Sequence, residues 1–179
     1  AHYGVEGGGF YGIPLDDILP YSIARTWHTQ LGIFWIATAW LAAGLFIGPA
    51  VSETEPKGQR LGVNVLFVAL IVVVGGSMIG EWLSVKGMLP GDGWFWFGHQ
   101  GFEYVDLGRV WQIALLIGLF LWMYLVGRCV LKAILEGGNQ KHLLTMFLIS
   151  AVAIGGFYIA GLMWGKNTHL AIAEYWRWW

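Results

Sequence analysis

The chain has 179 residues, of which 57% are hydrophobic and 12% charged, and its formal net charge is −1. A water-soluble domain carries about 25% charged residues, so a soluble globular domain is excluded, and the absence of a basic patch argues against nucleic acid as a partner. The single cysteine, Cys129, lies in an apolar run and leaves no disulfide framework or paired-cysteine metal knuckle.

The 27 glycines and 12 tryptophans suit membrane helices, glycine at close helix contacts and tryptophan at the headgroup belt. The expected class is an all-α integral membrane protein: a polytopic helix bundle with four full spans plus the start of a fifth. Residues 1–22 are expected as an outer-side loop following a preceding helix. Residues 23–167 form the four-helix transmembrane region, and 168–179 open a further transmembrane helix. Neither Ala1 nor Trp179 resembles a natural terminus, so the expectation is a segment of a longer chain.

The first stretch is rich in glycine, with Gly7, Gly8 and Gly9 in a row, and Pro14 and Pro20 stiffen the approach to the first span. It carries Glu6, Asp16 and Asp17 where a secretory signal would carry basic residues. His2 and Glu6 stand four apart. They share one face if residues 1–5 close a helix, and otherwise form a polar pair in a solvated loop.

The first span is expected over 23–47, with Pro49 marking its exit. About 25 residues make roughly 37 Å of helix, enough to cross a bilayer with some tilt. Gly44 and Gly48 have the spacing that lets a neighbouring helix come close. A polar loop, 51–60, follows. The second span is expected over 61–83. Its β-branched run Ile71, Val72, Val73, Val74 would suit a strand if it stood alone, but its length favours a helix. Glu81 is expected at the interfacial exit.

The connection 86–109 is the longest polar one. Pro90, Gly91, Asp92 and Gly93 form a turn, and the aromatic residues 94–97 an interfacial belt. The third span is expected over 110–130, ended by Arg128 and Lys132, and the fourth over 142–164. Asn167 or Thr168 is positioned to cap the last helix. Arg128, Lys132 and Lys141 outweigh Glu136 after the third span, which puts that loop in the cytoplasm. His2, His28, His99, Glu103 and His169 then fall near the outer surface, and His142 at the opposite end.

His28 is the residue with the most chemistry in reach. Gly32, one turn on, leaves room for a macrocycle beside an imidazole that can ligate haem iron, with Arg25 near for propionates. The other reading is an interfacial imidazole bonded to headgroups or loops. Glu103 and Asp106 offer carboxylates to a calcium ion, though too few for a complete site. His99 and His169 have no partner at ligand spacing, and Glu174 reads as a helix-surface residue. Asn64, Ser77, Thr145, Ser150 and Tyr158 are the polar residues within the spans; they suit either water paths or bonds between helices.

Two stretches carry a family resemblance. Arg25-Thr26-Trp27-His28-Thr29-Gln30-Leu31-Gly32-Ile33-Phe34-Trp35 and the terminal His169 to Trp179 run resemble the large subunit of bacterial nitric oxide reductases, a branch of the haem–copper oxidase superfamily. Tyr21 to His28, with His2 and Glu6, look like the single-chain, quinol-dependent form. The resemblance implies a respiratory enzyme of denitrification in the bacterial inner (cytoplasmic) membrane, part of a larger haem–copper oxidase-like bundle. Such an enzyme reduces NO to N2O with electrons from quinol.

It further implies that His28 is an axial ligand of a low-spin haem b, that Glu103 belongs to a calcium site, and that His2 and Glu6 face the quinol headgroup. The ligands of the high-spin haem b3 and of the non-haem iron fall outside this segment, which is therefore not catalytic alone. The remainder of the same catalytic chain, the lipid bilayer and a second copy in a homodimer are the other partners implied. Two other classes fit the residues: an integral cytochrome b or terminal oxidase-like electron-transfer subunit, and a non-haem transporter or structural helix bundle.

Overall fold

The computed structural model describes residues 12, 14–53, 55–99 and 107–164. Among them the chain is an all-α polytopic membrane bundle without a strand. A short helix α1 (Leu15–Ile18) precedes two long helices, α2 (Tyr21–Ser52) and α3 (Gln59–Val85). A single π-helical turn, Trp94–Gly98, stands in the following connection, and α4 (Arg109–Leu135) and α5 (Lys141–Trp164) complete the order. The expected fifth span, 168–179, lies outside the described residues.

Four helices are long and apolar enough to cross a membrane, their 18-residue windows having mean hydropathies of 1.9, 2.4, 2.1 and 2.1. Their apolar surface is not gathered into one buried stripe. Trp35, Ile36 and Phe46 on α2, Phe67 and Ile71 on α3, and Met146 and Val152 on α5 are all exposed. Helices apolar on several sides belong in a hydrocarbon setting, where exposed leucine and valine lose nothing to water.

The helices run longer than their apolar cores. Pro49, expected at the exit of the first span, lies inside α2. It lacks a backbone donor, but it stands in the last turn, and the helix stops only where Glu53 takes a left-handed φ of 50°. Likewise α4 does not end at Arg128 or Lys132; it continues to Leu135 and terminates beside Gly137, whose left-handed φ of 77° favours glycine.

The chain divides into two compact units, one of residues up to 35 with 74–111, the other of 36–73 with 112 onward. The second is built on Trp122, which is fully buried. Its indole ring lies 4.5 Å from that of Trp40, centroid to centroid, and its Nε1 donates to the Leu41 carbonyl at 2.8 Å. Gly44 makes this contact possible, because a Cβ there would come within 2.5 Å of the Trp122 ring. Leu66, Val126, Val130, Leu144 and Ala151 complete the core.

Polar groups in this unit are matched in pairs. The buried Gln59 donates through Nε2 to the Leu125 carbonyl at 3.2 Å, and its Oε1 accepts from Arg128 Nε and a terminal guanidinium nitrogen at 3.0 and 2.7 Å. The Arg128 guanidinium also reaches the Lys57 carbonyl and lies 5.2 Å from the Tyr124 ring centroid. This is how a cation inside a spanning helix is tolerated: its donors find acceptors, and its charge meets a π face. Tyr158 Oη donates to the Gln112 carbonyl at 3.0 Å, joining α5 to α4.

Gln59→Ala removes one bond to a carbonyl and two to a guanidinium, so it is expected to cost about 2–3 kcal/mol. Thermal unfolding followed by circular dichroism in detergent micelles measures this, and an unchanged curve means that the network does not hold α3 to α4.

Candidate functional site

The first unit places its polar residues by helical periodicity. Thr26 and Gln30 are one turn apart on α2, at 0% and 4% exposure. Ser77 and Glu81 are one turn apart on α3, at 0% and 1%. The Glu81 side chain faces Thr26 and Gln30, yet neither carboxylate oxygen has a donor within hydrogen-bonding geometry. Ser77 Oγ is turned to the Val74 carbonyl of its own helix, 3.1 Å away. Glu81, expected at the interfacial exit of its span, is thus an enclosed residue, with Thr26 and Gln30 of α2 set against it.

That turn is seated on glycines. A Cβ on Gly80 would collide with the carbonyl of Phe97, and one on Gly98 would lie 2.4 Å from Ser84 Cβ, closer than two carbons can sit. The Phe97 carbonyl accepts from Trp111 Nε1 at 2.8 Å, tying the π turn to the start of α4. Gly108 N donates to the Gly98 carbonyl at 2.9 Å beside the bridge of His99 with Leu107. Arg109 lies 5.5 Å from the Phe95 ring centroid. At the same end, α1 is strapped down by Trp82 Nε1, which donates to the Ile18 carbonyl at 2.9 Å, and by Lys86 Nζ, which donates to that of Asp17. The expected aromatic belt is thus a packed π-helical turn, with Trp94, Trp96 and Phe97 still exposed for an interface.

His28 lies on a different face of α2. At 100° per residue it is about 200° from both Thr26 and Gln30, and it is exposed. A Cβ on Gly32 would meet nothing within 4 Å, and Trp35, a further turn on, is 78% exposed. Thr29 Oγ1 donates back to the Arg25 carbonyl at 3.1 Å. His28 therefore presents its imidazole on an open, largely apolar face, away from the buried carboxylate. His142 is exposed at the start of α5, and His99 lies 6.0 Å from Trp94, ring to ring. Burial pushes the His99 imidazole below its ordinary value of 6.5. His2, Glu6, Glu103, Asp106, His169 and Glu174 lie outside the described residues.

Over residues 8–179 the sequence matches the family described as cytochrome c and quinol oxidase polypeptide I. The chain belongs to that family. Its members form part of the haem–copper oxidase superfamily, and the four apolar helices make this a multi-pass membrane protein of that superfamily. It is also similar to a nitric oxide reductase subunit of Stutzerimonas stutzeri, at 20% identity over 148 residues. That alignment covers 81% of this chain but 30% of the relative, so the chain spans about a third of the length of the protein it matches.

The cofactor set expected from the resemblance needs correction. Among the described residues no group of three or more His, Cys, Asp or Glu is gathered closely enough to hold a metal ion. The low-spin haem b, high-spin haem b3, non-haem iron and calcium sites are thus not borne out as stated. The physical reason is separation. His28 points out on one face of α2, Glu81 is buried beside another, and His99 is held in the connection after α3.

The Glu81 cluster was not expected from the sequence. Its signal was present as two polar pairs at i, i+4 spacing, Thr26 with Gln30 and Ser77 with Glu81, each inside an apolar span. Which faces these pairs occupied could not be read without the packing of α2 on α3.

Gly80→Ala sets a methyl against a backbone carbonyl that has no free direction to move, and is expected to cost about 2 kcal/mol or more. It also breaks the Trp111–Phe97 bond, which a red shift of tryptophan emission and faster proteolysis of the 86–107 connection would register. For His99 the sign follows from its lowered value. Below pH 6.5 the unfolded chain binds more protons than the folded one, so stability falls as pH drops through that window. His99→Gln is expected to flatten this part of the melting temperature against pH profile, and an unaltered slope would assign it to another group.

Proposed function

We propose that this chain is part of a respiratory nitric oxide reductase, one that reduces NO to N2O with electrons from quinol. The observation that carries this is the joint match: residues 8–179 fit the oxidase polypeptide I family, and 81% of the chain aligns with a nitric oxide reductase subunit. The reaction is 2 NO + 2 e⁻ + 2 H⁺ → N2O + H2O. It needs a route for electrons and a route for protons, and both favour a membrane bundle that keeps bulk water out.

In this reading His28 is a site residue of the electron path. Its imidazole stands on the open face of α2, where Gly32 and the exposed Trp35 leave space for groups supplied by the rest of the parent protein. His2 and Glu6 are the quinol-side pair: a hydroxyl that releases a proton on oxidation needs an acceptor, and an imidazole with a carboxylate supplies one. The remainder of the same catalytic chain completes the assembly, and the bacterial cytoplasmic membrane is its place. The end of α4 and the loop after it, with Arg128, Lys132 and Lys141, then face the cytoplasm.

A second reading has its own support, because the matched family is named for oxidases. An oxygen-reducing electron-transfer subunit shares the same bundle, and the substrate separates the two.

The test uses the parent protein purified in detergent with a reduced quinol and electrodes for both gases. NO consumption that depends on quinol, with little O2 uptake, is expected; rapid O2 uptake with NO left intact would replace this reading with the oxidase one. His2→Ala and Glu6→Gln each remove about one hydrogen bond to the headgroup, roughly 1.4 kcal/mol. They are therefore expected to raise the KM for quinol about tenfold while leaving NO consumption with an artificial electron donor unchanged.

A further inference from the structure

We propose that Glu81, with Thr26 and Gln30, forms an intramembrane proton-exchange site at the end of α2 and α3 nearest α1. Burial and packing define this site, whichever gas the parent protein reduces.

Glu81 is 1% exposed inside an apolar helix, and both carboxylate oxygens lack a hydrogen-bond donor in bonding geometry. A carboxylate in such a place is costly, and ionisable residues kept within membrane helices mark ion or proton pathways. A purely structural residue here would be expected to carry a neutral or apolar side chain. The polar surroundings are also unusual for a passive core. Thr26 and Gln30 face the carboxyl from α2, and each carries both donor and acceptor capacity. Ser77, one turn earlier on α3, adds a further hydroxyl.

No countercharge is set against it among the described residues. Thr26, Gln30 and Ser77 are neutral. Of the charged and titratable groups on neighbouring elements, Lys86 bonds the Asp17 carbonyl, Arg109 lies over the Phe95 ring and His99 beside Trp94, while Arg25 on α2 and Asp16 and Asp17 on α1 are exposed. On α2, His28 is exposed and lies on another face. With no cation to neutralise it, the carboxyl is made compatible with hydrocarbon by a proton, and that proton is what it can exchange.

The position suits exchange rather than storage. Glu81 is four residues from the end of α3 and Thr26 five from the start of α2, so the group lies about 6–8 Å inside the helix ends. That depth is within reach of one or two waters entering beneath α1 and the π turn. The step is a simple transfer: the carboxylic acid gives its proton to a water, leaving carboxylate and hydronium, and the carboxylate later accepts a proton from another hydronium. No electrons move and no other bond is broken.

Infrared spectroscopy of the intact parent protein tests this directly. A carboxylic-acid C=O stretch is expected at neutral pH in the wild type, shifted promptly on transfer to D2O and absent in Glu81→Gln. Substrate-driven proton uptake is expected to slow by roughly 100-fold in the same variant. Glu81→Asp, a second variant in case Glu81→Gln fails to fold, should move the band and keep part of the uptake. A wild type without the band, a band that ignores D2O, or full uptake in Glu81→Gln would each overturn the assignment.

Discussion

A peptide group that enters hydrocarbon without a partner costs several kcal/mol, and nothing in a bilayer core supplies one. The described part of the chain answers this constraint with helices of 24–32 residues, whose backbone bonds close within each segment. Side-chain hydroxyls follow the same logic. Thr145 Oγ1 and Ser150 Oγ turn back to carbonyls one turn earlier, at 2.7 and 3.0 Å, so they need no water path and no neighbour. Polar groups that do reach across, as in Trp122, Tyr158 and Gln59, end on backbone carbonyls of another helix.

The same solvent withholds the force that assembles soluble cores. Lipid chains are as apolar as leucine, so helices associate through fit and through shared polar contacts. This explains why large side chains are repeatedly laid over glycines. Trp122 lies on Gly44 and Leu125 on Gly62, while in the other unit Trp111 covers Gly76 and the Phe97 backbone covers Gly80. Each notch removes a side chain from one surface so that a larger group from another can close the gap. The polar bonds then fall where the notches allow approach, as with Trp111 Nε1 on the Phe97 carbonyl.

Glu81 departs from that economy. Trp122, Tyr158, Gln59, Thr145 and Ser150 have found partners within their own helix or across one; the Glu81 carboxyl faces neutral groups without bonding geometry. His28 contrasts with it from the opposite direction, being polar, exposed and beside open space at Gly32. The two side chains divide α2 into a face that closes on α3 and a face left open.

Hydropathy and length alone determined the class, the number of described spans and their approximate limits, because crossing a bilayer imposes one composition over about 20 residues. The resemblance around His28 also pointed to the superfamily to which the chain belongs. Sequence misjudged features that depend on neighbours. Pro49 reads as a stop, but a proline in a last turn breaks little; Arg128 reads as a helix end, but Gln59 and Tyr124 let it stay inside α4. Glu81 reads as interfacial because four residues separate it from the end of α3, and only the packing of α2 against it leaves the side chain 1% exposed. Burial of a single side chain is a property of two surfaces meeting, and one-dimensional periodicity specifies only one of them.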